Sequence, residues 1–284
     1  MRNKILEKQS YVLLVKCPDC PGLIHKITGS LYEFNLNIIS NDEYVAPLSQ
    51  TFFNRANFTG SFDKNQLIVS VKSKLSADAE INLIENKEKE IVVMVTKEHH
   101  CLGDLLIRNE YNELDAKIKA VIGNHETLRH LVEKFNIPYH YISTQNLDRE
   151  SHENEVMKVI DMYNFDYLIL AKYMRILTEN FVNSYTNKII NIHHSFLPAF
   201  IGANPYRQAY NRGVKIIGAT AHFVTKDLDE GPIIEQGVHR INHHYSVKQM
   251  TKAGHDIERD VLSGALKKVF ENRVMINGKK TIVF

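Results

Sequence analysis

From residue 91 onward the chain alternates short, unbroken apolar runs with helical stretches, and that alternation limits the fold more than any other feature of the sequence. IVVMV (91–95), KAVIG (119–123), YLILA (167–171) and KIIN (188–191) are separated by segments such as ETLRHLVEKF and NEVMKVIDMY. A strand that is apolar on both sides needs cover on both faces, the environment of a parallel sheet between layers of helix. The expected fold is therefore α/β, a Rossmann-like domain with a mostly parallel sheet. Ligand sites in such sheets lie beyond the carboxyl ends of the strands. The tail VMINGKKTIVF predicts a closing hairpin with Asn277-Gly278 in a type I′ turn.

The chain ahead of residue 87 reads differently. YVLLVKC (11–17) predicts a strand, and PGLIHKITGSLYEF (21–34) a helix with Pro21 at its start and Leu23, Ile24, Ile27 and Leu31 on its apolar face. NIISNDEYV and TFFNRANF follow as strands, QLIVSVKSKL as a helix and AEINLI as a strand. That order, βαββαβ, is a ferredoxin-like sandwich. ENKEKE (85–90) is a charged run without apolar content and reads as a linker. The expected domains are 1–86 and 87–284.

Composition removes several classes of function. Thirty-five Lys and Arg against 33 Asp and Glu give a formal charge of +2 without a basic block, so nucleic acid is not an expected partner. No apolar run reaches the ~20 residues of a membrane-spanning helix, and the N-terminus carries no apolar export segment. The expected location is cytoplasmic. Three cysteines without an export signal argue against a disulfide framework. CPDCPG (17–22) has the CxxC layout of a thiol redox site, but the ferredoxin-like order around it favours a Pro-bounded turn. Fourteen histidines invite a metal reading, yet no HExxH or paired CxxC spacing is present, and adjacent histidines on a strand diverge. No metal is expected. Nor does a GxGxxG follow the strand at 91–95, where VTKEHHCLGDLL stands instead, so no dinucleotide cofactor is expected.

The stretch NIHHSFLPAFIGANPY (191–206) begins at the end of an apolar run, where a site belongs. Asn191 and His193 are two residues apart, so on an extended backbone they share a side while His194 points to the other. An amide donor and an imidazole on one ligand atom suit a developing oxyanion. AHFVTKDLDEGPII (221–234) adds carboxylates at Asp227, Asp229 and Glu230. One of them beside His193 would orient the imidazole and favour its charged form.

VTKEHHCLGDLL, LAKYMRIL, NIHHSFLPAFIGANPYRQAY and IIGATAHFVTKDLDEGPIIEQ together resemble the formyltetrahydrofolate deformylase family, relatives of the folate-dependent formyltransferases. CPDCPGLIHKITGSLYEFNLNI resembles that family's ACT-type regulatory domain, with Cys20 where an Arg is usual. The resemblance implies hydrolysis of 10-formyltetrahydrofolate to tetrahydrofolate and formate, serving purine synthesis and the one-carbon pool, without a cofactor. It puts the catalytic set on Asn191, His193 and Asp229 and the folate cleft on Tyr173, Met174, Arg175, Ile176 and Leu177. His194, Ser195, His222, Thr225 and Leu228 complete the expected substrate contacts. An amino-acid effector at the ACT-type domain and a homo-oligomer are implied as well. The alternative is a formyltransferase acting on a ribonucleotide amine, which should carry a Gly/Ser phosphate loop where this chain has EHHCLG.

Overall fold

The computed structural model describes residues 9–198 and 205–284; the extreme N-terminus and the Gly-bearing stretch 199–204 of the motif above lie outside the described residues. Two compact units divide the chain. The first comprises residues to Lys87 together with Glu271–Met275 and Ile282–Phe284, and the second Glu88–Phe270 with Ile276–Thr281. The division after Lys87 falls one residue beyond the expected boundary, and parts of the C-terminal tail group with the first unit.

In the first unit, β1 (Ser10–Pro18), α1 (Leu23–Glu33), β2 (Asn37–Ala46), β3 (Thr51–Thr59), α2 (Lys64–Lys74) and β4 (Glu80–Glu85) form an antiparallel sheet in the order β2-β3-β1-β4. The run Tyr11–Val15 of β1 is unbrokenly apolar because both its faces are covered. Leu13 and Val15 pack with Ile27 and Leu31 of α1 and Leu67 and Val71 of α2, while Val12 and Leu14 pack with Phe53 and Met275. Helix α1 starts at Leu23, two residues after Pro21, because Gly22 takes the cap position at φ 84°, a left-handed conformation that glycine adopts without a Cβ clash.

The second unit holds β5 (Lys89–Val95), α3 (His100–Glu110), β6 (Ala116–Gly123), α4 (Arg129–Glu133), β7 (Tyr139–Tyr141), α5 (Arg149–Ile160), β8 (Tyr167–Leu170), α6 (Glu179–Ser184), β9 (Ile189–His193), α7 (Pro205–Arg212), β10 (Ile216–Phe223), β11 (Ile233–Arg240) and α8 (Val247–Phe270). Its sheet runs β11-β10-β9-β8-β5-β6-β7, parallel from β9 through β7 and antiparallel at β9–β10 and β10–β11. Val92, Met94, Leu168 and Leu170 turn to one face, against Val156, Ile160 and Phe181. Helix α8, 24 residues long, buries Ile257, Val261, Leu262, Ala265, Leu266 and Val269 along one stripe.

The C-terminal hairpin of β12 (Val274–Asn277) and β13 (Lys280–Val283) corrects one expectation. Its two central residues are Gly278 and Lys279, and of these only Gly278 has a positive φ, 60°. Type I′ needs positive φ at both central positions. Glycine at the first alone fits type II′.

Candidate active site

Strand β9 ends at His193, beside the exit of β8 and under the loop that leaves β10. These three chain ends enclose a cleft of about 310 Å³ at the carboxyl end of the parallel strands. The antiparallel register of β9 and β10 sets the local pairs: Asn191 lies opposite His222, and His193 opposite Thr220. Asn191 Nδ2 is 3.3 Å from His222 Nε2, and the other ring nitrogen of His222 is 2.9 Å from the Phe223 carbonyl oxygen. The carbonyl can only accept, so Nδ1 carries the proton and Nε2 offers its lone pair to the Asn191 amide. Burial, with His222 2% exposed, pushes the pKa of this imidazole down and favours the neutral ring.

His193 is 7% exposed and held from both sides. Its Nδ1 is 3.4 Å from Asp229 Oδ1 and its Nε2 is 2.9 Å from Ser195 Oγ. The turn carrying Ser195 is tied to β10 by Thr220, whose Oγ1 donates to the Ser195 carbonyl oxygen and accepts from Leu197 N. Asp229 sits at φ 56°, a left-handed conformation uncommon for a residue with a side chain. Burial works to raise its pKa, but His193, His222 and His194 together outweigh that and lower it, so the carboxylate is charged at neutral pH. Gly231 closes the loop, since a Cβ there would come within 1.7 Å of the Phe223 carbonyl oxygen.

Asn191, His193 and Asp229 meet in the cleft with Tyr173, Met174, Arg175, Ile176, Leu177, His194, His222, Thr225 and Leu228. Ser195 reaches the site through His193 and lines a neighbouring apolar cavity instead. Of the other two acidic residues, Asp227 lines the cleft and Glu230 pairs with Lys279 at 2.9 Å. His194 departs from expectation. Its ring lies 5.1 Å from that of His193 at an angle of 23°, because the strand ends at His193 and side-chain alternation ends with it. Burial first, then the charges of Lys172 and His193, lower the His194 pKa to about 4.

Lys172 and the cluster behind it lie outside the site residues expected from the sequence. Lys172 is 4% exposed at the exit of β8 and is held by Glu258 and Glu98, with Nζ at 3.1 and 3.7 Å from an oxygen of each. His100 and His255 complete the group. The signal was a lone lysine inside the apolar run LILAKYM.

Among the described residues, two sets of side chains come close enough to share a metal ion: Glu98, His100 and His255, and His100, Cys101 and Glu258. Neither arrangement suits one. The rings of His100 and His255 stack at 3.9 Å and 6°, and imidazole lone pairs lie in the ring plane, so nearly parallel rings cannot aim at a single ion. In the second set, His100 Nε2 is already 2.8 Å from Glu258, and burial pushes the Cys101 thiol well up, away from the thiolate a metal needs.

A mostly parallel α/β sheet with an amide, an imidazole and a carboxylate at the end of one strand defines the class: residues 89–266 match the formyl transferase family. A formyltetrahydrofolate deformylase of Haemophilus influenzae is 50% identical over 98% of this chain and all of its own length. The solved formyltetrahydrofolate deformylase of Pseudomonas syringae superposes with a TM-score of 0.94 at 38% identity, covering 99% of this chain and 96% of that one. A glycinamide ribonucleotide transformylase from Symbiobacterium toebii matches less well, with a TM-score of 0.66 at 26% identity over 69% of this chain and 94% of its own. The chain belongs to the formyltetrahydrofolate deformylase family.

Proposed function

We propose that the chain is a hydrolase of 10-formyltetrahydrofolate, releasing tetrahydrofolate and formate. The observation that carries this reading is the meeting of Asn191, His193 and Asp229 in a cleft walled by Tyr173 to Leu177, in a chain whose full-length relatives are deformylases. The substrate's formyl group is an amide on an arylamine nitrogen. Water adds to the formyl carbon, the oxygen becomes an oxyanion, and the C–N10 bond breaks as N10 takes a proton. Asn191 and protonated His193 donate to the oxyanion, groups commonly worth roughly 10²–10³ in rate each. Asp229 orients His193 and the water and carries the proton to N10. Met174, Ile176 and Leu228 present exposed apolar side chains on the cleft, a surface suited to a flat heteroaromatic ring. No cofactor takes part.

The first unit is proposed to be an ACT-type regulatory domain. Its βαββαβ order and its sheet order β2-β3-β1-β4 support that reading, as does the start of α1, where backbone N–H groups suit the carboxylate of an amino-acid effector. Pairing of such units into a homo-oligomer and a cytoplasmic location belong to the same proposal. The hydrolytic reading is tested by supplying 10-formyltetrahydrofolate with and without glycinamide ribonucleotide. Free formate should appear at equal rates in both. Formylated ribonucleotide accumulating in place of formate would make the chain a transferase.

A further inference from the structure

Helix α8 carries two residues that are costly in a helix interior. Gly254 weakens a helix relative to Ala because glycine loses more backbone freedom on folding, and Glu258, one turn later, is a carboxylate with no exposed surface. Both are accounted for by what surrounds them. Glu258 receives three donors from three different elements: His100 Nε2 at the start of α3 at 2.8 Å, Lys172 Nζ at the exit of β8 at 3.1 Å, and the hydroxyl of Tyr206 at the start of α7. A Cβ on Gly254 would lie 2.1 Å from the Tyr206 ring, so the glycine makes the room in which Tyr206 reaches Glu258.

Lys172 is the member of this group that bears on the reaction. Its φ is 63°, a left-handed conformation that is unfavourable for a side-chain-bearing residue and persists only where the surroundings impose it. The next five residues, Tyr173 to Leu177, form the wall of the folate cleft. Lys172, Met174 and His194 also separate that cleft from a second, polar cavity of about 330 Å³. The direction in which the wall leaves β8 is thus fixed at Lys172, and Lys172 is fixed by Glu258.

We infer that Glu258 is a positioning residue for the deformylase reaction: it anchors the Lys172 ammonium, and through it the left-handed turn that sets the folate-binding wall, while Tyr206, admitted by Gly254, and His100 complete its hydrogen bonding. This inference rests on the proposed substrate. Among the described residues, Glu98 from the β5–α3 turn, Cys101 of α3, His194 after β9 and His255 of α8 also face the cluster, and Arg207 of α7 lines the same polar cavity. Glu98 is the remaining carboxylate near Lys172, and its 3.7 Å separation is too long for a hydrogen bond.

The test uses the whole chain and begins with wild-type formate release in the absence of an acceptor, which decides the substrate separately. The positioning role is then read from the KM for 10-formyltetrahydrofolate and from its Kd by equilibrium dialysis, a readout that does not need turnover. Glu258→Gln keeps the shape and removes the charge, leaving a buried ammonium without its nearest counter-ion. Such an ammonium loses its proton more easily. Kd and KM should rise by about tenfold or more relative to wild type, kcat should fall less, and the rise should grow between pH 7 and pH 9.5. Lys172→Met should raise Kd without that pH dependence, the double variant should lose it, and Lys172→Arg should restore part of the affinity. Should Glu258→Gln not fold, Tyr206→Phe and Lys172→Met carry the test. A folded Glu258→Gln with wild-type Kd and pH profile, or unchanged Kd in both substitute variants, would overturn the inference.

Discussion

Asn191 and His222 face each other across the antiparallel pairing of β9 and β10, with the amide nitrogen of one 3.3 Å from the imidazole Nε2 of the other. Because the second ring nitrogen is spent on the Phe223 carbonyl, His222 acts as a neutral acceptor that fixes which way the Asn191 amide turns. An oxyanion donor works only if its N–H already points where charge develops. His222→Phe keeps a ring in the space and frees the amide. The expected result is a fall in kcat of about 10–10² with KM within a few-fold of wild type, measured by steady-state formate release. An unchanged kcat would take His222 out of the positioning of Asn191.

Asp229 has a larger part in the proposed reaction, where it both orients His193 and carries a proton. Asp229→Asn preserves size and removes the charge that sits 3.4 Å from His193 Nδ1. Turnover should drop by about 10²–10⁴ while circular dichroism and melting stay close to wild type. Near-wild-type turnover in the folded variant would exclude Asp229 from the chemistry.

The parallel part of the sheet is legible because strands buried on both faces have no polar alternation, and the runs at 91–95, 119–123, 167–171 and 188–191 fall on β5, β6, β8 and β9, with only Ala171 and Lys188 outside the strands. Helix α8 was not read, since Gly254 and Glu258 interrupt its apolar stripe for reasons that lie in Tyr206, His100 and Lys172, far off in sequence. Divergence of His193 and His194 would hold only if β9 ran one residue further. The part played by His222 depends on the register of two strands separated by α7, and no local pattern encodes a register of that kind.

Gly231 is where the loop bearing Asp229 returns to the sheet. A methyl group there would fall within 1.7 Å of the Phe223 carbonyl oxygen, which is backbone and cannot swing aside. Phe223 N also bonds the Pro232 carbonyl at 2.9 Å, so relief of the clash must open that pairing. Gly231→Ala should cost about 2–4 kcal/mol in urea unfolding and reduce turnover by displacing Asp229. A variant as stable and as active as wild type would show that the loop has slack.

Stability should fall on mild acidification, and the histidines set the window. His194 has its pKa lowered to about 4 by burial and by the neighbouring charges of Lys172 and His193, and burial likewise lowers His222, His255, His152 and His140. In the unfolded chain each titrates near ~6.5, so between that pH and the lower folded value the unfolded state binds protons that the folded state refuses. Stability is therefore full above about pH 7 and declines as pH falls from ~6.5 toward 4. After allowance for partial exposure, His194 alone contributes about 2 kcal/mol to that decline. The carboxylates act lower down. For Glu258 burial works against ionisation, but the bonds from His100 and Tyr206 and the charge of Lys172 outweigh it and hold its pKa at about 2. Its contribution is complete above ~4.5 and is lost only as pH approaches 2. Urea unfolding at pH 8, 7, 6, 5 and 4.5 should show a plateau and then a progressive loss, and His194→Asn should flatten part of the slope between pH 6.5 and 4.5. Equal or greater stability at pH 5 than at pH 7.5 would mean that these imidazoles gain protons in the folded protein as readily as in the unfolded one.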